Sequence, residues 1–329
     1  MSITQAREFI DNNQPEEALA LLSPLLNDNQ DNVEFLQIFG EVLLEVNELE
    51  QAYEILMRSV ELDKNGDKGI EKFLYLGQII GGREGIEFLD VALRQLDSLD
   101  VKDDKITQKL NEGIFAKIEI WMTDLCMEPE AESQCDELIN YSLKLDNENP
   151  ETFSLLSSIR ISQQKDEEAI EAIKRSWELF QKRMDLSTQE IINVIQPLIT
   201  LSKYSIELQL YDLSLEILNF INDLNDSILE VCYLIAVSIL FKFKLQNNID
   251  PEAEVNPKDL EDDTLQELKS ILTNGFKIIQ TQQDLDQELS VAVSQLIDQF
   301  GGPVMSELMP EKISQEDINQ VDEIDSDDE

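Results

Sequence analysis

Apolar residues recur every three to four positions along most of this chain, a spacing that places them on one face of an α-helix. The clearest stretch is VEFLQIFGEVLLEVNELEQAYEILMRSVELDKN, residues 33–65, where the pattern is interrupted once, near Asn47. We therefore expect two short helices joined by a tight turn. Their packing positions are Leu36, Phe39, Gly40 and Leu43 in the first helix and Ala52, Leu56 and Ser59 in the second.

This two-helix pattern repeats at an interval of 34 residues. The equivalent positions are Ala6, Ala18 and Leu22 one interval earlier, and Cys135, Ile139 and Ser142 match Ala169, Ile173 and Ser176 further along. A period of this length, with small residues where the two helices touch, is typical of tetratricopeptide (TPR) repeats. Because each hairpin packs only on its neighbours, the sequence predicts an all-α, TPR-like helical-hairpin solenoid wound as a right-handed superhelix.

We expect this solenoid to cover residues 1–302 with about six to seven hairpins, regular as far as Trp177 and divergent beyond it. Gly81 and Gly82 are expected to end the first helix of the third repeat about one turn early. They are read as a tight corner and not as a phosphate-binding loop, because no strand precedes them and no Lys-Ser/Thr pair follows. The first helix of the fourth repeat is predicted at residues 105–127.

Residues 303–329 form an acidic end of the chain. They are rich in Asp and Glu and contain a single basic residue, Lys312. A segment of this composition buries too little apolar surface to offset the entropy lost on ordering. We therefore predict a disordered acidic C-terminal tail.

The chain as a whole carries 25 Lys and Arg against 69 Asp and Glu, a formal net charge of −44. Such a field repels nucleic acid and anionic membranes and attracts a basic partner. The longest apolar run, residues 228–243, is shorter than the roughly 20 residues of a membrane span and is predicted to be a buried helix. The start of the chain lacks a secretory pattern. We expect a protein of the cytoplasm and nucleus that binds neither nucleic acid nor membrane directly.

The sequence offers little for catalysis. It contains no His, which is the commonest general acid-base residue and metal ligand. Cys126, Cys135 and Cys232 do not form a CxxC pair and are predicted to be buried packing residues. Trp121 and Trp177 are predicted to lie in the core. We expect no enzyme activity, no cofactor and no metal site.

In a TPR array the first helices of the hairpins line a concave groove, and the side chains there that do not pack can meet an extended peptide. Carboxylates occupy these positions. The candidate ligand-binding residues are Glu34, Glu41, Glu45, Glu71, Asp124 and Glu128. For each of them the alternative is a solvated helix face in a very acidic protein, but together they favour a cationic, extended ligand.

Two segments carry a family resemblance: EIWMTDLCMEPEAE at residues 119–132 and KFLYLGQIIGG at residues 72–82. Together with the acidic end, they resemble the fungal TPR assembly chaperones dedicated to large-subunit ribosomal protein four. The resemblance implies a non-enzymatic escort that shields the long basic internal loop of the newly made ribosomal protein in its groove. It also implies that the protein accompanies its client to the nucleus and that the import receptor of the client is a further partner. We expect the protein to be a monomer.

Two other functions remain open at the level of the sequence. TPR hairpins also serve as scaffolds that join the subunits of a protein complex through apolar ridges, with the charge serving only solubility. An acidic tail is also compatible with a histone-type chaperone that competes for basic clients in general. The scaffold predicts neutral or acidic partners, and the histone-type chaperone predicts that binding depends on the tail.

Overall fold

The computed structural model describes residues 2–99, 101–183, 188–283 and 285–308. The chain divides into two compact units, Met1–Gln181 and Lys182–Glu329. Throughout the described residues, the regular secondary structure is helical.

The N-terminal unit is a series of helical hairpins. Its helices are α1 (Ser2–Asp11), α2 (Pro15–Leu22), α3 (Val33–Glu45), α4 (Leu49–Leu62), α5 (Glu71–Ile80), α6 (Gly82–Asp97), α7 (Asp104–Met122), α8 (Ala131–Leu145), α9 (Pro150–Ser162) and α10 (Asp166–Lys182). Each of the helices α1, α3, α5 and α7 packs on the helix that follows it. The first helices also pack side by side, α1 on α3, α3 on α5, α5 on α7 and α7 on α9. This arrangement confirms the TPR-like fold predicted from the 34-residue period.

The turn inside a hairpin has a shared local structure. Asn47, between α3 and α4, has a φ of 61°, and the N–H of Glu48 donates to the carbonyl of Leu43 at 2.8 Å. Asn13 occupies the same place between α1 and α2, with a φ of 57°. A left-handed residue that closes the last helical turn in this way is a common helix C-cap, and Asn tolerates it better than most residues. The interruption of the apolar pattern near Asn47 therefore has a direct structural cause.

Small residues lie where the two helices of a hairpin touch. A Cβ on Gly40 would lie 2.5 Å from Cδ2 of Leu56, and a Cβ on Gly77 would lie 2.4 Å from Cγ of Leu89. These distances are far shorter than a van der Waals contact between carbon atoms. Leu56 and Leu89 are fully buried in the resulting seams. Glycine at these positions thus permits the close approach that the repeat pattern predicted.

The third hairpin is shortened as predicted. α5 has 10 residues where α3 has 13, and α6 begins at Gly82. Gly81 joins the two helices with a φ of 64° and a ψ of −168°, a conformation that is essentially restricted to glycine.

The fourth hairpin corrects two expectations. Its first helix ends at Met122 and does not continue to residue 127. The N–H of Leu125 turns back to the carbonyl of Ile120, which buries Leu125 and leaves Cys126 exposed. The prediction of a buried Cys126 was therefore wrong, because it assumed that the helical face continued. Trp121 and Trp177 are buried as predicted.

The C-terminal unit contains α11 (Thr188–Glu207), α12 (Tyr211–Leu224), α13 (Leu229–Gln246), α14 (Asp262–Thr281), α15 (Gln287–Gln299) and the short α16 (Met305–Leu308). The apolar run at residues 228–243 falls in α13, which packs between α12 and α14 and is largely buried, as predicted. No helix among the described residues has the length and apolarity needed to cross a membrane. α16 packs on α14. The rest of the predicted acidic tail, residues 309–329, lies outside the described residues.

Candidate functional site

Four consecutive first helices of the N-terminal unit line one open cavity of about 380 Å³. Its charged and polar lining includes Arg7 and Asp11 from α1, Gln37 and Glu41 from α3, Glu71, Tyr75 and Gln78 from α5, and Lys109 and Glu112 from α7. A second cavity of about 690 Å³ shares Arg7, Gln37 and Glu71 with the first. The side chains that face a common space thus come from the helices that the TPR reading assigned to the groove. We call these two spaces together the groove cavity.

Glu71 is the most fully engaged carboxylate of the groove cavity. Its Oε2 accepts hydrogen bonds from Nε2 of Gln37 at 2.8 Å and from the backbone N–H of Ile70 at 3.0 Å, and its Oε1 pairs with Nζ of Lys109. Burial by itself would raise the pKa of Glu71, but the bonds from Lys109, the backbone and Gln37 outweigh it and hold the pKa below its ordinary value. Glu71 is therefore an ionised group at neutral pH.

Gln37 is nearly enclosed, with 6% of its surface exposed. Its Nε2 donates to Glu71, and this bond fixes the orientation of the amide. Its Oε1 finds no hydrogen-bond partner among the described residues. A buried acceptor without a donor costs about 1–3 kcal/mol, so a ligand that brings a donor to Gln37 would recover that free energy.

Glu41 and Tyr75 form a hydrogen-bonded pair across α3 and α5, in which the Tyr75 hydroxyl donates to the Glu41 carboxylate. Burial raises the pKa of Glu41, and the charges of Glu71 and Glu45 add to this, against the lowering effects of Tyr75 and Arg7. Burial likewise raises the pKa of Glu112 on α7. A cationic ligand beside such a carboxyl group would favour its charged form and lower its pKa.

The other predicted residues occupy three different settings. Glu34 lines the groove cavity, 3.9 Å from Arg7. Glu45 is exposed at the end of α3 and lines neither space of the groove cavity. Asp124 and Glu128 lie in the turn after α7. Of the six predicted residues, the structure therefore brings Glu34, Glu41 and Glu71 together.

Asp124 and Glu128 are engaged within the chain. Oδ2 of Asp124 accepts the backbone N–H of Gly82 at 2.7 Å, and Oε2 of Glu128 lies 2.9 Å from a guanidinium nitrogen of Arg83. Arg83 also pairs with Glu130 at 3.0 Å. These contacts fasten the turn after α7 to the start of α6. A role in ligand binding for Asp124 and Glu128 stays a prediction.

Residue types other than acids line the groove cavity, and the sequence reading missed them. Arg7, Glu41, Tyr75 and Lys109 follow one another at intervals of 34 residues, so they are the same position in four successive repeats. Gln37 and Glu71 are equivalent in the same way. The repeat period could therefore have found these positions, whereas a search restricted to acidic residues found only some of them. The wall is mixed in charge and not uniformly acidic.

The described residues contain no group of three or more Cys, Asp or Glu side chains placed to hold a metal ion. Burial raises the pKa of the thiols of Cys135 and Cys232 to about 11, so both are protonated at neutral pH.

One family model and two named proteins are similar to this chain. Residues 227–325 match the model of the ACL4 C-terminal domain. The chain is 29% identical over 252 residues to a "probable assembly chaperone of rpl4" from Schizosaccharomyces pombe, which covers 71% of this chain and 73% of that protein. The chain is similar to the rpl4 assembly chaperones. A protein of the same name from Emericella nidulans is 27% identical over 269 residues, covering 77% of this chain and 68% of that protein.

Solved structures agree on the fold. The structure of the assembly chaperone of RpL4 (Acl4), residues 1–338, superposes with a TM-score of 0.62 at 23% identity, over 75% of this chain and 96% of that chain. The Cut9-Hcn1 structure from the APC/C superposes with a TM-score of 0.52 at 13% identity, over 89% of this chain and 48% of that one. The resemblance to rpl4 assembly chaperones and the all-α, TPR-like fold predicted from the sequence are thus both confirmed.

Proposed function

We propose that this chain is a dedicated, non-enzymatic assembly chaperone of large-subunit ribosomal protein four, and that it holds the basic internal loop of that protein in the groove cavity. The names of the two fungal relatives support the identity of the client. The chemistry of the groove cavity supports the mode of binding. In this account the chaperone acts as a monomer in the cytoplasm and nucleus and accompanies its client, with the import receptor of the client, to the site of ribosome assembly.

One observation carries the binding mode: carboxylates from four consecutive first helices face a shared space that is also lined by Gln37, whose buried Oε1 has no donor. Lys and Arg side chains supply donors and positive charge together. A basic segment in the groove cavity would meet Asp11, Glu41 and Glu112 on three helices and could donate to Gln37. Several weak contacts along an extended segment add up, and such a segment can lie in the groove cavity without first folding.

The charge of the whole chain gives the second part of the mechanism. A net charge of −44 attracts a basic segment over a distance and speeds its encounter with the groove cavity. The same segment, if left free, would bind phosphates of RNA without regard to sequence, because that binding is largely electrostatic. Occupation by the chaperone would keep the loop of the ribosomal protein from such contacts until assembly.

Purification of the tagged chain from its own cells at low salt tests this function. We expect large-subunit ribosomal protein four as a stoichiometric companion, and we expect the complex to dissociate as the salt concentration rises, because salt screens the attraction between exposed charges. Recovery of a stable set of neutral or acidic proteins without the ribosomal protein would contradict the proposal and favour a scaffold. Recovery of histones in its place would favour a general chaperone of basic proteins.

A further inference from the structure

A cation of the chaperone itself occupies the best-placed carboxylate of the groove cavity. Nζ of Lys109, on α7, pairs with Oε1 of Glu71, on α5, across two neighbouring first helices. Glu71 is one of the carboxylates that the sequence assigned to a cationic ligand. In the structure that ligand position is already filled from within the chain.

The ion pair between Lys109 and Glu71 is partly exposed to solvent and can break without unfolding the hairpins. The Lys109 side chain keeps 38% of its surface exposed and the Glu71 side chain 27%, so water reaches both groups. A lysine has a flexible four-carbon stem and a strongly hydrated ammonium group, which loses little when it swings from a half-exposed pair into solvent. Pairs of this exposure contribute little to stability. Lys109 can therefore leave Glu71 while the hairpins stay folded.

The neighbouring Gln37 distinguishes an incoming ligand from Lys109. Gln37 binds Glu71 through Nε2, and its Oε1 receives no donor even though Lys109 is bound to the same carboxylate. Lys109 therefore satisfies Glu71 alone. A guanidinium group presents five donors in a planar fork and can bond a carboxylate and a second acceptor at once. An arginine of the client could satisfy both Glu71 and Gln37, which gives it an advantage over the resident lysine.

We propose that Lys109 is an intrachain competitor that closes the groove cavity at Glu71 until an arginine of a basic segment displaces it. The inference rests on the proposed function, because it concerns the same cavity and the same class of ligand. Its consequence is selectivity. A cation that only replaces Lys109 at Glu71 gains little, whereas an arginine that reaches both Glu71 and Gln37 gains an additional hydrogen bond.

Removal of Lys109 tests the competition. The full chain is titrated against a short fluorescein-labelled oligo-arginine peptide at low salt, with fluorescence anisotropy as the readout. Lys109→Met keeps the aliphatic stem and is expected to bind about three- to fivefold more tightly than the unmodified chain. Lys105→Met is the matched control, because Lys105 is an exposed lysine on the same helix, and its removal changes the net charge by the same amount. We expect that variant to change the affinity by less than about twofold.

A double-mutant cycle separates competition from general electrostatics. In a Glu71→Gln background the ion pair between Lys109 and Glu71 is absent, so Lys109→Met should tighten binding less than it does in the unmodified chain. Equal effects of Lys109→Met and Lys105→Met, or a gain that Glu71→Gln does not reduce, would overturn the inference. So would weaker binding by Lys109→Met. Should that variant fail to fold, Lys109→Gln is read by the same criteria.

The outcomes for the inference and for the proposed function are distinct. If large-subunit ribosomal protein four copurifies with the chain but Lys109→Met binds the peptide no more tightly than Lys105→Met, the competition is wrong and the client assignment stands. If the ribosomal protein does not copurify and the Lys109 effect is present, the groove cavity binds arginine but serves another client. An oligo-lysine peptide, measured in parallel, should bind less tightly than oligo-arginine. Equal affinities would contradict the role assigned to Gln37.

Discussion

Nζ of Lys72 lies 2.8 Å from Oδ2 of Asp63, and both side chains are almost completely buried. Asp63 also accepts the backbone N–H groups of Asp67 and Lys68, so a single carboxylate holds the turn between α4 and α5. That turn brings Gly69 against the amide of Gln37, where a Cβ would lie 2.9 Å from Oε1. The buried pair therefore shapes one wall of the groove cavity without contacting a ligand.

Loss of one partner of this pair is expected to be severe. Lys72→Met removes the charge but leaves Asp63 buried and ionised, and breaking a buried pair in this way costs about 3–5 kcal/mol. Denaturant unfolding of the full chain measures the change. Lys64→Met is the control, because Lys64 is exposed in the same turn, and it should change the stability by less than about 0.5 kcal/mol. A loss below about 1 kcal/mol for Lys72→Met would show that the pair is not structural.

Glu41 is predicted to oppose folding at neutral pH. Its pKa in the folded chain is raised mainly by burial, so the folded state binds its proton more tightly than the unfolded state does. The penalty is present in full above the folded pKa and disappears as the pH falls through that value toward the ordinary one. Glu41→Gln, which can still accept from Tyr75, should therefore stabilise the chain at about pH 7.5, with a gain that shrinks toward about pH 5.

The control for Glu41 is Glu54→Gln, since Glu54 is exposed on α4. Its effect on the free energy of unfolding should be small and should not vary over the same pH range. If Glu41→Gln destabilises the chain at every pH, the buried charge of Glu41 does not destabilise the folded chain. A cationic ligand would then have no such penalty to relieve.

The acidic tail is expected to assist binding without determining it. A chain that ends at Leu308 retains α16 and its packing on α14 and loses residues 309–329. If the groove cavity is the site, this chain should bind the basic loop of ribosomal protein four within about threefold of the full chain at moderate salt, because salt screens charges that do not contact the ligand. Isothermal titration calorimetry of both chains measures the difference. Abolished binding would favour the histone-type chaperone.

The sequence predicted the hairpins well because their cause is local. The 34-residue period, Gly40 and Gly77 in the seams, and Gly81 at the shortened corner depend on packing between neighbouring helices. The end of α7 was missed because the apolar pattern continues through Leu125, although the backbone has already turned there.

The lining of the groove cavity was predicted only in part. Glu34, Glu41 and Glu71 line it and were named because they are acids on first helices; their role in ligand binding stays a prediction. The pairing of Glu71 with Lys109 and the free acceptor of Gln37 depend on the spacing between α3, α5 and α7, which no pattern within one helix reports. Asp124 and Glu128 have the expected residue type, but the turn after α7 commits them to contacts with α6.

Two matched double variants test whether a basic segment binds against the carboxylates of the groove cavity. The affinity of the basic loop of ribosomal protein four is measured at one salt concentration for two double variants that remove the same charge. Glu41→Gln with Glu112→Gln changes the groove cavity, and Glu50→Gln with Glu54→Gln changes exposed positions on α4. We expect the first variant to bind about tenfold or more weakly and the second to stay within about twofold of the unmodified chain. Equal losses for the two variants would show that only the overall charge matters, and would contradict binding in the groove cavity.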